Sequence, residues 1–365
     1  MDDNDNKLHG REVIVLFELG ALGDSIMTLP AMQAVRCAQP QAHIVRVHEK
    51  RMSEFFRGCP LADVFIAYDR SQAKQKAALN LLNNLRALNL ASIANLHTPD
   101  FARPLRYYLR DSLFLLLSKA PQRLAWTHSI DNLLITDGIP RKFFGQQRID
   151  QEILAVVQPL IKNTNIQTTA KVLYWLSDNE RDATLHLYAQ HATTAGIMAD
   201  HPYFCVAPFA RAPTREWSLS SMGQAVELIV KQTGLIPVIL GAASDRSKLS
   251  SLLEQIHKPV VDLVGTSSIR DAATLMAKAT FTLSVDTGLM HLSALMGTPV
   301  VAIFTAGNPV RWHPLPQAEI RIVAANCTCS PCYRFTCDDL CCHKEITTTI
   351  VAQAAIECYQ QITSE

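Results

Sequence analysis

The 365-residue chain lacks any long apolar run. Its most hydrophobic patch, Ser112 to Leu117, is far too short to span a bilayer. The first residues, MDDNDNKLHGRE, are acidic and polar, with neither a hydrophobic stretch nor a cleavage site. A secretory signal is therefore not expected, and the chain reads as cytosolic. Charge of one sign is also missing. A net charge of +1 gives no global pull toward nucleic acid or an anionic membrane, so an anionic partner must be held by local basic groups. No nucleic-acid partner is expected. Neither a repeat at solenoid period nor a low-complexity segment is present.

What is there is an ordinary mixture for a well-buried α/β protein, 48% hydrophobic and 18% charged. The length exceeds one small core and fits two domains. Short apolar runs at Val13–Phe17, Ile44–Val47, Val64–Tyr68, Ile93–Leu96 and Leu124–Trp126 read as buried strands. Helical patterns at Ile26–Ala38, Gln75–Leu88 and Pro104–Leu117 alternate with them. A less regular region, Asp137 to Asn165, follows. The alternation restarts with strands at Phe204–Pro208, Val238–Leu240, Val260–Val264, Phe281–Val285 and Val300–Phe304. Helices are expected at Leu219–Thr233, Asp245–His257, Ile269–Lys278, Gly288–Leu295 and Thr348–Gln361. The pattern predicts parallel sheets covered on both faces, in two Rossmann-like domains facing a central cleft. The expected division is 1–170, then 171–346 with a cysteine-rich loop at 327–343, then a final helix within 347–365.

In such sheets ligands bind beyond the carboxyl ends of the strands, where helix N-termini point their amides. ELGALGDSIMTLPA, Glu18 to Ala31, is one such junction. Gly20 and Gly23 permit a tight turn and a close approach, but the third glycine of a dinucleotide fingerprint is absent. Asp24 reads either as an N-cap for a helix beginning near Ser25 or as a carboxylate base. SVDTGLMHLSALMGTPVVAIF, Ser284 to Phe304, poses the same choice. Asp286 and Thr287 either cap the helix entered through Gly288 or face a ligand, and His291 looks back toward them from the next turn. In APFARAPTREWSLSSMGQAV, Ala207 to Val226, Arg211 and Arg215 follow a strand. That suits a phosphate, which the guanidinium fork pairs bidentately, or a solvated basic loop. Lys50, Arg51 and Arg57 after the second strand carry the same two readings for an anionic acceptor.

Ten cysteines are present, and six fall between Cys327 and Cys342. The absence of a signal favours reduced thiols or a metal over a disulfide framework. The preferred ligands of a structural zinc or iron are Cys329, Cys332, Cys337 and Cys342, with Cys341 and His343 as substitutes. A disulfide and inert buried thiols remain alternatives.

Taken together, LGALGDSIMTLPAMQAVR, TREWSLSSM and SVDTGLMHLSALMGTPVVAIF resemble glycosyltransferase family 9, the ADP-heptose:lipopolysaccharide heptosyltransferases. The resemblance covers about residues 12 to 360 and implies a GT-B fold. It implies an acceptor on the N-terminal domain and ADP-heptose on the C-terminal one, with lipid A-Kdo/heptose core as acceptor. It implies an inverting displacement with no catalytic cofactor, in the cytoplasm, with peripheral contact at the inner membrane. By position Asp24 matches the family's general base, beside Gly23, and Arg215 its basic residue at the diphosphate. Asp286, Thr287, Gly288, Leu289 and His291 match the donor motif, with Arg211 in the preceding loop and Asp245 near the nucleoside ribose. Glu18 departs from the family, which commonly has Arg or Lys just before the glycines, and so do Ala210 and Arg211 in their loop. Rival readings are a heptosyltransferase for a protein (autotransporter) acceptor, a sugar-nucleotide 2-epimerase, and a non-catalytic assembly module.

Overall fold

Strand β1 (Val13–Phe17) is apolar at every position because it lies inside a sheet covered on both faces. The computed structural model describes residues 11–98, 105–127, 131–140, 147–162, 174–332 and 334–364. The chain divides into two units at residues 172/173.

In the first unit β1 is followed by α1 (Leu22–Met27), α2 (Leu29–Ala38), β2 (His43–Glu49), α3 (Ser53–Phe56), β3 (Val64–Tyr68) and α4 (Lys74–Arg86). Then come β4 (Leu90–Asn95), α5 (Leu105–Leu117), β5 (Gln122–Thr127), β6 (Asp137–Pro140) and α6 (Ile149–Ile161). The strands lie in the order β3-β2-β1-β4-β5-β6, all parallel. Side chains alternate between faces. Val13, Val15, Phe17, Val45 and Val47 meet Leu81 and Leu85 of α4 and Leu115 of α5, while α2 packs with α6.

The second unit runs α7 (Asp178–Thr194), β7 (Tyr203–Ala207), α8 (Leu219–Thr233), β8 (Ile236–Ile239), α9 (Leu249–Leu253), β9 (Val261–Asp262) and α10 (Ile269–Lys278). It continues with β10 (Thr282–Val285), α11 (Gly288–Leu295), β11 (Val300–Phe304), β12 (Ile320–Ala324), α12 (Cys341–Glu345) and α13 (Thr348–Ser364). Its order, β12-β11-β10-β7-β8-β9, is the first unit's order read from the other edge, and it too is parallel. Phe204 stacks on Phe281 at 5.0 Å between centroids, and α13 lies on α8.

Several elements differ from the sequence expectation. The helix expected from Ile26 starts at Leu22 and breaks at Thr28, with Pro30 in the first turn of α2. The helix expected from Asp245 is a 3-10 turn, Ala243–Lys248, followed only by short α9. Helices α6 and α7 had no expected counterpart. Buried Asp150 and Glu152, and Pro159 near the end, obscure the apolar face of α6. Most of α7 is polar, and its start is fixed instead by Ser177 and Glu180 capping each other's amides. Edge strands β6 and β12 escaped notice because DGIP carries Gly and Pro and IRIVA is largely solvent-facing. Pro104, the expected first residue of α5, lies outside the described residues.

Candidate active site

Each sheet reverses its winding once, between β1 and β4 in the first unit and between β7 and β10 in the second. Ligands of doubly wound sheets bind beyond the strand ends at that reversal. In the second unit the two strands at the reversal deliver Arg215 and Asp286.

After β7 the chain turns through a 3-10 segment, Pro213–Arg215, that ends on Arg215. After β10 it delivers Asp286, 4% exposed, whose Oδ2 lies 3.6 Å from Arg215 Nε and has no hydrogen-bond partner among the described residues. Burial raises the Asp286 carboxyl above the usual carboxylate range, and Arg215 offsets part of that. The expected capping role of Asp286 is not what its side chain does. The N-cap of α11 is Thr287, in extended conformation, and its side chain makes no capping hydrogen bond. Gly288 and Leu289 therefore open the helix with amides that have no intrahelical acceptor. Gly307 lies against the carboxylate. A β-carbon there would collide with Asp286 Oδ2, so only glycine leaves room for the carboxylate.

His291, on the second turn of α11, is buried with its ring 5.9 Å from that of Trp312. Burial pushes its imidazole down to about 3, and the positive charge of Arg215 and His313 adds to this. It is a neutral ring beside the Arg215–Asp286 pair. Arg211 is exposed. Asp245 accepts the Ala242 amide at 3.0 Å and lies 3.8 Å from Lys248 Nζ. Lys248 also reaches Glu216 at 2.8 Å, and Glu216 takes the Ala210 amide at 3.1 Å. This chain of polar contacts, invisible as spacing, ties the loop after β8 to the loop carrying Arg215.

In the first unit Asp24 occupies the third position of α1, not the N-cap, and its Oδ2 accepts the Ala21 amide at 2.9 Å. Gly23 precedes it within the same helix. Glu18 continues β1 with its carboxylate buried against Arg46 of β2 at 3.0 Å. A β-carbon on Gly20 would collide with both Glu18 Oε1 and Asp24 Cβ, so the two acids share one glycine-sized gap. The signal was present in HIVRVHE, where an arginine interrupts an apolar strand. Lys50 and Arg51 are already paired, with Asp69 and Glu49.

The cysteine-rich loop is folded onto the Arg215 turn. The Thr214 carbonyl accepts from Thr305 Oγ1 at 2.6 Å and lies 3.0 Å from His343 Nε2, and Thr214 Oγ1 donates to the Arg334 carbonyl. Ser330 Oγ donates to the Thr305 carbonyl and Cys332 N to the Ala306 carbonyl. His343 is thus engaged with Thr214, outside the thiols. Cys329 is grouped with Cys327 and Cys341, at 3.8 and 3.4 Å between sulfurs, and not with Cys332, Cys337 and Cys342. Cys337 instead takes backbone amides of Leu340 and Asp339. Four thiolates at about 2.3 Å around a zinc stand about 3.8 Å apart, so the trio has the spacing a soft cation requires.

Residues 144–343, more than half of the chain, match the sequence model described as glycosyltransferase family 9 (heptosyltransferase). Lipooligosaccharide heptosyltransferase 2 of Haemophilus influenzae is 22% identical over 222 residues, 59% of this chain and 63% of that protein. The chain thus spans under two thirds of the length of that curated relative. The crystal structure of a glycosyl transferase family 9 protein from Veillonella parvula superposes with a TM-score of 0.76 at 17% identity, covering 96% of this chain and 97% of that one. E. coli ADP-heptose lps heptosyltransferase II gives 0.71 at 17%, covering 96% and 99%. The iron-containing dodecameric glycosyltransferase TibC of E. coli gives 0.56 at 14%, covering 96% and 77%. These likenesses establish the α/β, GT-B-type fold.

A neutral buried His291 makes stability depend on pH. Its folded-state pKa of about 3 lies below the unfolded value, so its contribution is complete above the unfolded pKa and falls as acid drives protonation of the unfolded chain. Between pH 7 and pH 5 the native protein should lose about 2 kcal/mol more than His291→Gln, at about 1.4 kcal/mol per pH unit below the unfolded pKa. Urea unfolding at the two pH values reads the difference. Equal losses would mean that His291 is not held neutral.

Proposed function

The chain belongs to glycosyltransferase family 9, and from that premise we propose that it transfers a heptose from ADP-heptose to the inner core of lipopolysaccharide, with inversion and without a catalytic metal. The observation that carries this reading is Arg215 held against buried Asp286 at the winding reversal, beside the uncapped N-terminus of α11. An arginine that turns its Nε toward Asp286, at ion-pair distance, keeps its terminal nitrogens for a bidentate oxyanion, and helix amides add a second positive pole. A diphosphate suits both.

The second unit holds the nucleotide sugar and the first supplies the base. Gly288 and Leu289 amides and Arg215 take the diphosphate, and Asp245 lies toward the ribose. As the bond from the anomeric carbon to the diphosphate oxygen breaks, its electron pair leaves with ADP and negative charge grows there. Arg215 and the helix N-terminus stabilise that charge. The acceptor hydroxyl oxygen bonds to the opposite face of the anomeric carbon, and its proton passes to the Asp24 carboxylate. No helix among the described residues is long and apolar enough to cross a membrane. We place the enzyme in the cytoplasm, meeting its lipid-borne acceptor at the inner membrane's cytoplasmic face.

A second reading, transfer to a protein acceptor, draws on the thiol trio together with the likeness to iron-containing TibC. In either reading Cys327, Cys329 and Cys341 would hold a zinc or iron ion that cross-links the loop gripping Thr214. That ion is structural.

The experiment that tests the reading is ADP release from ADP-heptose with lipopolysaccharide-core and protein acceptors. Release should require the core acceptor, and Asp24→Asn should lower turnover by roughly 10²–10⁴ while keeping the fold, because Asn still accepts from the Ala21 amide. Wild-type turnover in Asp24→Asn would leave Asp24 as a helix-start residue only. Release supported only by the protein acceptor would favour the second reading.

For the metal, elemental analysis of protein purified without chelator should find about one zinc or iron per chain, lost in Cys329→Ser. Metal-free protein with full activity and unchanged melting would remove the ion from the account.

A further inference from the structure

We propose that Glu18, through its buried ion pair with Arg46, is a positioning residue that sets the strength of Asp24 as a base and makes that strength rise with pH. The inference rests on the reading of Asp24 as general base and goes beyond it by naming what controls that base.

The geometry comes first. Leu16 of β1 is in register with Arg46 of β2, which places Glu18 and Arg46 on the same face of adjacent strands. Glu18 is 1% exposed and Arg46 is fully buried, 3.0 Å apart. Arg46 is pinned by the carbonyls of Leu16 and Val47 at 3.3 and 2.9 Å and lies over the Phe56 ring at 5.2 Å, so it cannot swing to solvent. The other Glu18 oxygen lies over Gly20, where a β-carbon would strike both this oxygen and Asp24. Nothing larger than glycine separates the two acids.

Two carboxyl groups in one gap with one buried cation form a coupled set. Burial pushes the Glu18 carboxyl up to about 7, Arg46 opposes the rise, and Asp24 adds to it. While Glu18 holds its proton, no second negative charge stands against Asp24 across the Gly20 gap, and Asp24 is the weaker base. When Glu18 ionises, its charge repels that of Asp24 across the gap, and by reciprocity the proton affinity of Asp24 rises. No covalent step is involved. The proton of Glu18 leaves to solvent, and Asp24 remains the group that receives the acceptor's proton.

Among the described residues, His48 and Cys59 near the pair titrate outside its range. On β2, burial and then Arg46 push His48 down to about 4, so it stays neutral. Cys59, near Arg46, is pushed up to about 12 by burial and stays a thiol. From the first unit's surface, the Arg70 guanidinium reaches the Leu19 carbonyl. In a chain resembling a family that commonly has Arg or Lys before the glycines, Glu18 with Arg46 moves the positive charge to the neighbouring strand and adds a titrating partner to it.

The test is the pH profile of kcat/KM from pH 5.5 to 9 for wild type, Glu18→Gln, Glu18→Gln/Arg46→Gln, Asp24→Asn and Glu18→Gln/Asp24→Asn. Wild type should show a three- to tenfold rise centred near pH 7, and the rise should vanish in Glu18→Gln. The double amide variant replaces the ion pair with a hydrogen-bonded pair of similar shape, so it reports the same loss if Glu18→Gln alone leaves Arg46 unpaired and misfolds. Glu18→Gln should change nothing further in the Asp24→Asn background, since Glu18 acts through Asp24. An unchanged inflection in Glu18→Gln or in the double amide variant, with Asp24→Asn inactive, overturns the role of Glu18 alone. Wild-type turnover in Asp24→Asn overturns the base assignment, and this inference with it.

Discussion

The second unit depends on one under-compensated contact, the Asp286 carboxylate enclosed at the end of β10 with Arg215 3.6 Å away as its one ion-pair partner among the described residues. An isolated carboxylate is costly to bury, and Arg215 at that distance offsets the cost only in part. The site is built around keeping the two together. Gly307 gives the carboxylate space, Thr214 fixes the turn that carries Arg215, and the cysteine-rich loop clamps Thr214 through His343 and Arg334. His291 stays neutral because it is buried, and the same arginine adds to this. An arginine left incompletely neutralised is available to the anion proposed for this site.

The same architecture, twice, explains where the chemistry sits. Both sheets have a central strand with neighbours wound outward in both directions, and only at the reversal do two successive strand ends diverge without a helix between them. In the first unit that place holds Glu18, Gly20 and Asp24, and in the second Arg215 and Asp286. The two places differ in what they bury. The first encloses a complete ion pair beside an acid, where proton transfer is proposed, while the second encloses an acid beside an arginine, where the leaving diphosphate is proposed to bind.

The central strands and most helices were legible because their signals are local. Val13–Phe17, Val300–Phe304, Leu219–Thr233 and Ile269–Lys278 carry apolar patterns that tertiary contacts merely reinforce, and the observed bounds coincide. Sequence also marked the Asp24 and Asp286 junctions as unusual, since an acid and a glycine at a strand end are visible without coordinates. It could not say what each acid touches. The N-cap belongs to Ala21 in one case and Thr287 in the other, because cap position depends on where the backbone leaves the extended region. Arg46, Gly307 and Lys248 went unnoticed as site residues since each reaches the site across strands or loops far away in sequence. The thiols illustrate the same limit. Cys327 had been passed over, yet loop folding sets it beside Cys329 and Cys341.

The central claim is that Arg215 meets the diphosphate of the nucleotide. Calorimetric titration of ADP into wild type and Arg215→Ala tests it without any acceptor or turnover. The account expects binding weakened by about 1.5–3 kcal/mol, the value of a charge-assisted hydrogen bond to an anion. An unchanged dissociation constant in a folded Arg215→Ala protein would contradict it and leave the Arg215–Asp286 pair a structural contact only.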